Sequence, residues 1–415
     1  ESLSRLKIPL DSEIALNRHD NGFTPFEHYG GLYPEPIVHD GVGYNDYLLS
    51  QGYEMHNPWE NAANTATKSG LKYSGWEMRN AHLPSDIEAQ HSETAFLTNR
   101  AMEYISTRNK NTPWCLHLSY FNPHWPLLAP SPYHKMYKDS DVIGVVKDKI
   151  EMKNPHPVFS AFQQLEYSRN YTDEEKRRHV IPTYMGLISE IDHHIGRLIT
   201  FLDENNLSRN TLIIFTSDHG DYLGDHWLGE KDLFHEPSIR IPLIIVEPEM
   251  PENLRGSSEN RMIESIDVVP TLVETMGGSY ASNRMEGRSL VPLLFGDNPT
   301  WRDTVFAEID YSDRGARQIL DHHPYKCRGY MIKNTQWKYI YWEGFRAQLF
   351  DLLNDPNEFN DLAENQDQSE RLADFEKQLF TWLRQRKQRT VVHLDELYKR
   401  SPEADEKAGI IIGRW

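Results

Sequence analysis

The stretch Ile213-Ile-Phe-Thr-Ser-Asp-His-Gly-Asp-Tyr-Leu-Gly-Asp-His-Trp-Leu-Gly-Glu-Lys231, followed by Ile241-Pro-Leu-Ile-Ile-Val246, constrains this chain more than any other. An apolar strand runs into Asp218 and His219. A loop with Gly220, Gly224 and Gly229 follows and carries Lys231 before the chain returns to a second apolar strand. A carboxylate and an imidazole at the end of a buried strand stand where open α/β sheets place their chemistry.

The flanking pattern predicts the frame for that segment. Residues 1–90 are irregular and rich in Gly, Pro, Asn, Tyr and His, which reads as long surface-wrapping loops. Ser92–Ile105 has helical spacing through Ala95, Phe96, Met102 and Ile105, and Trp114–Tyr120 reads as a strand. Thr172 is placed to cap a helix whose buried stripe is Met185, Ile188, Ile191, Ile195, Leu198 and Leu202, with Pro182 kinking or restarting it. Strands at Thr211–Ser217 and Leu243–Val246 and a helix at Asp267–Gly277 follow. This alternation predicts an α/β fold with a large, mostly parallel sheet sandwiched by helices. After about residue 298 the pattern changes to short strands at Thr304–Ile309, Tyr330–Lys333, Gln336–Trp342 and Gln348–Asp351, a turn at Asn334-Thr335, and an amphipathic helix at Glu370–Arg386. The expected organisation is an α/β domain over 1–298 and a smaller C-terminal antiparallel sheet plus helix over 299–415.

Charge narrows the partners. The chain carries 44 basic and 62 acidic residues, a net charge of −18. No Lys/Arg block of useful length appears outside Arg384–Arg389, so no nucleic-acid partner is expected. The acidic balance repels anionic substrates at long range, so an anionic substrate needs a local cation. The longest apolar runs are far too short for a membrane span. No signal-peptide pattern opens these residues, and localisation stays open between cytoplasm and periplasm. The two cysteines form one disulfide at most; Cys115, in an apolar strand, is expected to be a buried small hydrophobe, and neither cysteine reads as a nucleophile.

Four residues are the candidates for chemistry. Asp218 and His219 can bind one divalent cation from two directions, although an Asp capping the turn beside a polar His is the plainer alternative. Lys231 offers a point charge to an anionic oxygen. His124, after a buried strand and between Pro123 and Pro126, can give a proton or a hydrogen bond to a leaving oxygen. Asp225-His226 reads as a second metal pair or, preferentially, a supporting structural pair. His193-His194 is structural, His322-His323 exposed, and Glu236 and Arg240 form structural polar contacts before the second strand.

The ordered set Thr216-Ser-Asp-His-Gly-Asp-Tyr-Leu-Gly-Asp-His226, Lys231, Arg240-Ile-Pro-Leu243 and Tyr120-Phe-Asn-Pro-His-Trp-Pro126 resembles the sulfatase family of the alkaline phosphatase superfamily. It is similar above all to the branch with phosphonate monoester hydrolases and arylsulfatases. Glu264-Ser-Ile-Asp-Val-Val-Pro-Thr271, Gly287-Arg-Ser-Leu290, Trp337-Lys-Tyr339, Leu349-Phe-Asp-Leu352 and Asp355-Pro-Asn-Glu358 support it, from about residue 90 onward. The resemblance implies an α/β sandwich with a smaller C-terminal domain and hydrolysis of sulfate, phosphate or phosphonate esters at one divalent metal. It matches Asp218 and His219 to metal ligands, and Lys231 and His124 to residues that hold the substrate anion and assist the leaving group.

The family's nucleophile motif, Cys/Ser-x-Pro/Ala-x-Arg with the Cys converted to formylglycine, is absent here, as are the paired acidic metal ligands of its first strand. Both are expected upstream of these residues. The resemblance thus implies a sulfatase using a formylglycine-type nucleophile supplied from outside this chain. Phosphonate monoester or phosphodiester hydrolysis is the alternative, and a non-catalytic binding protein that keeps the fold is a second. Oxygen ligands favour Ca²⁺ and the His219 imidazole favours Mn²⁺, and the two stay level. The expected partners are a small anionic ester and further copies of the chain; the aromatic-rich C-terminus ending Ile410–Trp415 suits a subunit contact or simply packing onto the body. The segment 134–168 and residues 1–90 are expected to shape the pocket.

Overall fold

The computed structural model describes residues 43–109 and 112–386, together with Phe23, Thr24, Phe26 and Glu27. The C-terminal segment ending at Trp415 and most of the first 42 residues therefore lie outside the described residues. The chain forms two compact units: residues 1–144 with 173–209, and residues 145–172 with 210–415.

In the first unit, the stretch expected to be irregular contains a helix at Gly43–Ser50 and a hairpin of β1 (Thr65–Lys68) and β2 (Leu71–Ser74). Ser69 and Gly70 both have positive φ, 54° and 77°, the pair of conformations that a two-residue hairpin turn matching strand twist requires. Helix α1 (Glu93–Thr107) starts where Ser92 Oγ accepts the Ala95 N–H at 3.2 Å. Phe96 and Leu97 then join Tyr44, Leu48, Trp59 and Ile87 in one core cluster.

Helix α2 (Glu174–Glu204) packs on α1. Its cap is Asp173, whose carboxylate accepts from Glu175 and Lys176; Thr172, the expected cap, closes the preceding helix instead. A carboxylate has the stronger claim on the helix N-terminus because it satisfies the orphan N–H groups and complements the dipole. The helix runs through Pro182 without a break, since Ile181, Pro182 and Thr183 are buried and Thr183 Oγ1 donates to Ala81 O at 2.8 Å. Its buried face also departs from the expected stripe. Ile191 and Leu202 are buried, but Ile188 is 46% exposed, and Gly186, Leu187, Glu190 and His194 face inward instead. Gly186 is required there because a Cβ would meet Tyr133 O at 2.3 Å.

Trp114–Tyr120, expected as a strand, alternates between half-buried and exposed residues but pairs with no strand among the described residues. Extended backbone becomes a strand only when a neighbour takes its N–H and C=O groups. Cys115, expected to be buried, falls on the exposed side of that alternation, whereas Cys327 is buried; both are free thiols.

In the second unit, β3 (Ile213–Thr216) pairs antiparallel with β4 (Leu243–Val246), register Ile213↔Val246 to Thr216↔Leu243. This ladder closes the base of the 217–242 loop. The large, mostly parallel sheet is not seen among the described residues, whose strand ladders are all antiparallel. The strands are also less buried than expected. Phe215, Ile244 and Val246 remain exposed, because a strand pair buries only the face on which something packs. The small C-terminal sheet does form, as β5 (Val305–Asp310), β6 (Arg328–Lys333), β7 (Trp337–Trp342) and β8 (Gln348–Asp351), each antiparallel to the next. Asn334 Oδ1 accepts the Gln336 and Trp337 N–H groups to turn β6 into β7. Helix α3 (Ser369–Gln385) covers this sheet with Phe375 and Leu379, and Trp382 stacks on Phe306 at 4.4 Å. The Glu264–Thr271 and Gly287–Leu290 motifs meet at buried Asp267, which accepts from Arg288 N at 2.7 Å and pairs with Arg302.

Candidate active site

Asp218 and His219 sit immediately past β3. The Thr216 hydroxyl donates to Pro242 O across the ladder at 2.9 Å, and Ser217 Oγ donates to His219 O at 2.6 Å. Gly220 N–H donates to Ser238 O at 2.7 Å, and a Cβ at Gly220 would lie 1.9 Å from Pro237 O, so only glycine lets the two segments meet. His219 Nδ1 lies 2.7 Å from Gly220 O, which assigns the proton to Nδ1. Nε2 therefore keeps its lone pair and faces Asp218 Oδ2 at 3.4 Å. The Asp218 side chain is 85% exposed, so this pair of electron donors is open to approach.

Lys231 lies on the same loop. Ser238 ties the two parts together: its carbonyl accepts from Gly220, and its hydroxyl donates to Lys231 O. The Lys231 ammonium pairs with no carboxylate within 4.0 Å among the described residues, and it lies near Asp221. Burial pushes the Asp221 carboxyl up to about 7; Glu230 and Asp225 add to the rise, while the Leu223 N–H and Lys231 oppose it. Asp221 was legible only as one more acidic residue in the motif. Its closeness to Lys231 comes from the turn in which Tyr222 N–H donates to Glu230 O at 2.8 Å.

His124 belongs to the first unit. Its backbone N–H donates to Phe121 O, and the ring lies between Phe121 at 4.8 Å and Trp125 at 5.3 Å. Nδ1 is 2.7 Å from Trp125 O, which anchors the ring to its own loop. Both flanking prolines, Pro123 and Pro126, follow cis peptide bonds.

The remaining pairs are built into the structure. His226 is buried against Glu151, His194 contacts Arg197, His193 contacts Tyr133, and His322 contacts Glu343 O while His323 is exposed. Glu236 joins Lys333 and fully buried Lys338, and burial competes there with two ammonium groups that hold its carboxyl below the usual range. Arg240 is exposed. Among the described residues no group of three or more His, Cys, Asp or Glu side chains is arranged to hold a metal. Asp218 and His219 present one carboxylate and one imidazole nitrogen side by side, donor atoms of the kinds that divalent cations take.

The family model described as Sulfatase matches residues 16–279, more than half of the chain. The chain belongs to the sulfatase family. A second family model, N-sulphoglucosamine sulphohydrolase, C-terminal, matches residues 224–386 of this sulfatase-family chain. The chain is 34% identical over 343 residues to the multifunctional alkaline phosphatase superfamily protein PehA of Trinickia caryophylli, covering 77% of this chain and 64% of that protein. It is 28% identical over 304 residues to an arylsulfatase of Clostridium perfringens, covering 73% and 59%. The chain therefore spans less than two thirds of the length of these curated relatives. Among solved structures it resembles the phosphonate monoester hydrolase SpPMH from Silicibacter pomeroyi, with a TM-score of 0.73 and 26% identity over 85% of this chain and 72% of that one. This sulfatase-family chain has a mixed α/β fold with a small antiparallel C-terminal sheet. Among its described residues no helix is long and apolar enough to cross a membrane.

Proposed function

We propose that this chain is part of a metal-dependent hydrolase of sulfate esters. The observation that carries the reading is the Asp218–His219 pair, whose Oδ2 and Nε2 face one another at 3.4 Å on an open loop end. Asp218 and His219 hold one divalent ion, Ca²⁺ or Mn²⁺. Bound there, the ion supplies positive charge that polarises an ester oxygen and acidifies a nearby nucleophile. Lys231 binds a non-bridging oxygen of the ester and stabilises the charge that grows on it. His124 gives a proton or a hydrogen bond to the departing alcohol oxygen. The nucleophile motif is absent from these 415 residues, and the reading assigns a formylglycine-type nucleophile to residues outside them. The same reading keeps the larger, mostly parallel sheet as a feature of the complete protein.

A second reading is phosphonate monoester hydrolysis, favoured by the likeness to the Silicibacter pomeroyi structure. Turnover of nitrophenyl sulfate against nitrophenyl phenylphosphonate by the complete protein separates the two. In that protein Asp218→Ala or His219→Ala should remove bound metal, read by elemental analysis, and lower turnover by at least about a hundredfold. Full metal content in either variant overturns the ligand assignment.

A further inference from the structure

Five backbone positions in the eight residues before Lys231 lie in the left-handed region: Leu223 at φ 47°, Gly224 at 103°, His226 at 53°, Trp227 at 61° and Glu230 at 57°. Four of them carry side chains, for which this region is unfavourable. Such a path persists only where the surroundings over-determine it.

Residues 146–151 supply several of the contacts that hold it. His226 N–H donates to Val146 O at 2.7 Å, and Val146 N–H donates to Asp225 Oδ1 at 2.8 Å. Trp227 Nε1 donates to Asp148 O at 3.0 Å. At the centre, His226 Nδ1 lies 2.7 Å from Glu151 Oε1, with the two side chains 2% and 4% exposed. The His226 ring stacks on His235 at 4.2 Å. His235 in turn bonds Tyr222 through both its Nδ1 and its backbone N–H. Tyr222 N–H closes the circuit on Glu230 O, one residue before Lys231.

We propose that Glu151 and His226 are positioning residues for Lys231. Their buried contact holds the strained turn in the one path that presents the lysine on the loop it shares with Asp218 and His219. The inference rests on the role given to Lys231 above. An apolar pair of similar volume would also fill the space, but it would not supply the directional N–H to carboxylate bond that fixes the imidazole plane and the φ of His226.

The test is a coupling cycle on kcat in the complete enzyme. Glu151→Gln, His226→Leu and His226→Asn are each made alone and with Lys231→Ala. His226→Leu should lower kcat by about 10- to 100-fold, with bound metal unchanged. His226→Asn, whose amide can still donate to Glu151, should recover most of the loss. In the Lys231→Ala background, the Glu151 and His226 changes should cost less than a further factor of about two, because coupled residues do not add. Losses that multiply through the Lys231→Ala background overturn the positioning role and leave the role of Lys231 standing. Full turnover of Lys231→Ala removes both. Failure of all three clamp variants to fold also overturns the inference, since it would make the pair a requirement of the fold at large.

Discussion

Residues that the sequence marks for chemistry and residues that the fold depends on are different in this chain. Asp218, His219, Lys231 and His124 are readable because rare residue types follow apolar runs beside Gly and Pro. Their surroundings are not readable. Nothing in the sequence pairs Glu151 with His226, or Lys338 with Glu358, because these partners are 75 and 20 residues apart and meet only after tertiary packing. Lys338 is the sharper case. Its ammonium is fully buried and bonded to Phe234 O at 2.7 Å, Glu236 at 3.0 Å and Glu358 at 2.5 Å. Lys338→Met would leave the buried Glu358 carboxylate without its cation, at a cost of about 3–5 kcal/mol. The change should appear as a large drop in the thermal unfolding midpoint, and Lys338→Met with Glu358→Gln should recover part of it. A midpoint unchanged in the single variant would mean that this network contributes nothing net.

Elements were legible wherever local signals decide them. Ser92 marks the start of α1, and Gln348–Asp351 is a strand within the bounds its pattern predicts. Ser92→Ala removes the acceptor for the Ala95 N–H and should cost about 1 kcal/mol, seen as a lower unfolding midpoint that Ser92→Thr restores in part. What local signals could not decide is pairing. Trp114–Tyr120 has strand composition, yet strand identity depends on a neighbour. The β1–β2 hairpin carries little sequence signal because its strands are four residues long and lack a strong apolar alternation; the Ser69-Gly70 dipeptide is its one local mark. The buried face of α2 departs from its isoleucine spacing for a related reason. Periodicity counts isoleucines, whereas Gly186 and Tyr133 set which side of the helix approaches its neighbour.

At the scale of the molecule, that rotation of α2 buries Glu190, which is fully inaccessible. Neither carboxylate oxygen finds a hydrogen-bond partner. Burial pushes its pKa up to about 7, with a partial offset from the Ser92 hydroxyl, which falls short of a hydrogen bond. The folded protein thus holds this proton to higher pH than the unfolded chain, which releases it near 4.5. Stability is complete on this account below the unfolded value and is lost as pH rises toward about 7, by about 3 kcal/mol in all. Glu190→Gln should therefore unfold at nearly the wild-type temperature at pH 4.5 and at a clearly higher one at pH 8. Parallel midpoints at both pH values would sink the assignment.

The left-handed run from Leu223 to Glu230 bears on how this family can diversify. Loops ordinarily drift in length, because an extra residue bulges into solvent at little cost. This one is pinned to Val146, Asp148 and Glu151 on one side and closed by Tyr222 and Glu230 on the other. An insertion or deletion would put residues out of phase with every one of those anchors at once. A one-residue insertion in this segment should therefore cost far more stability than the same insertion in a loop that carries no such anchors.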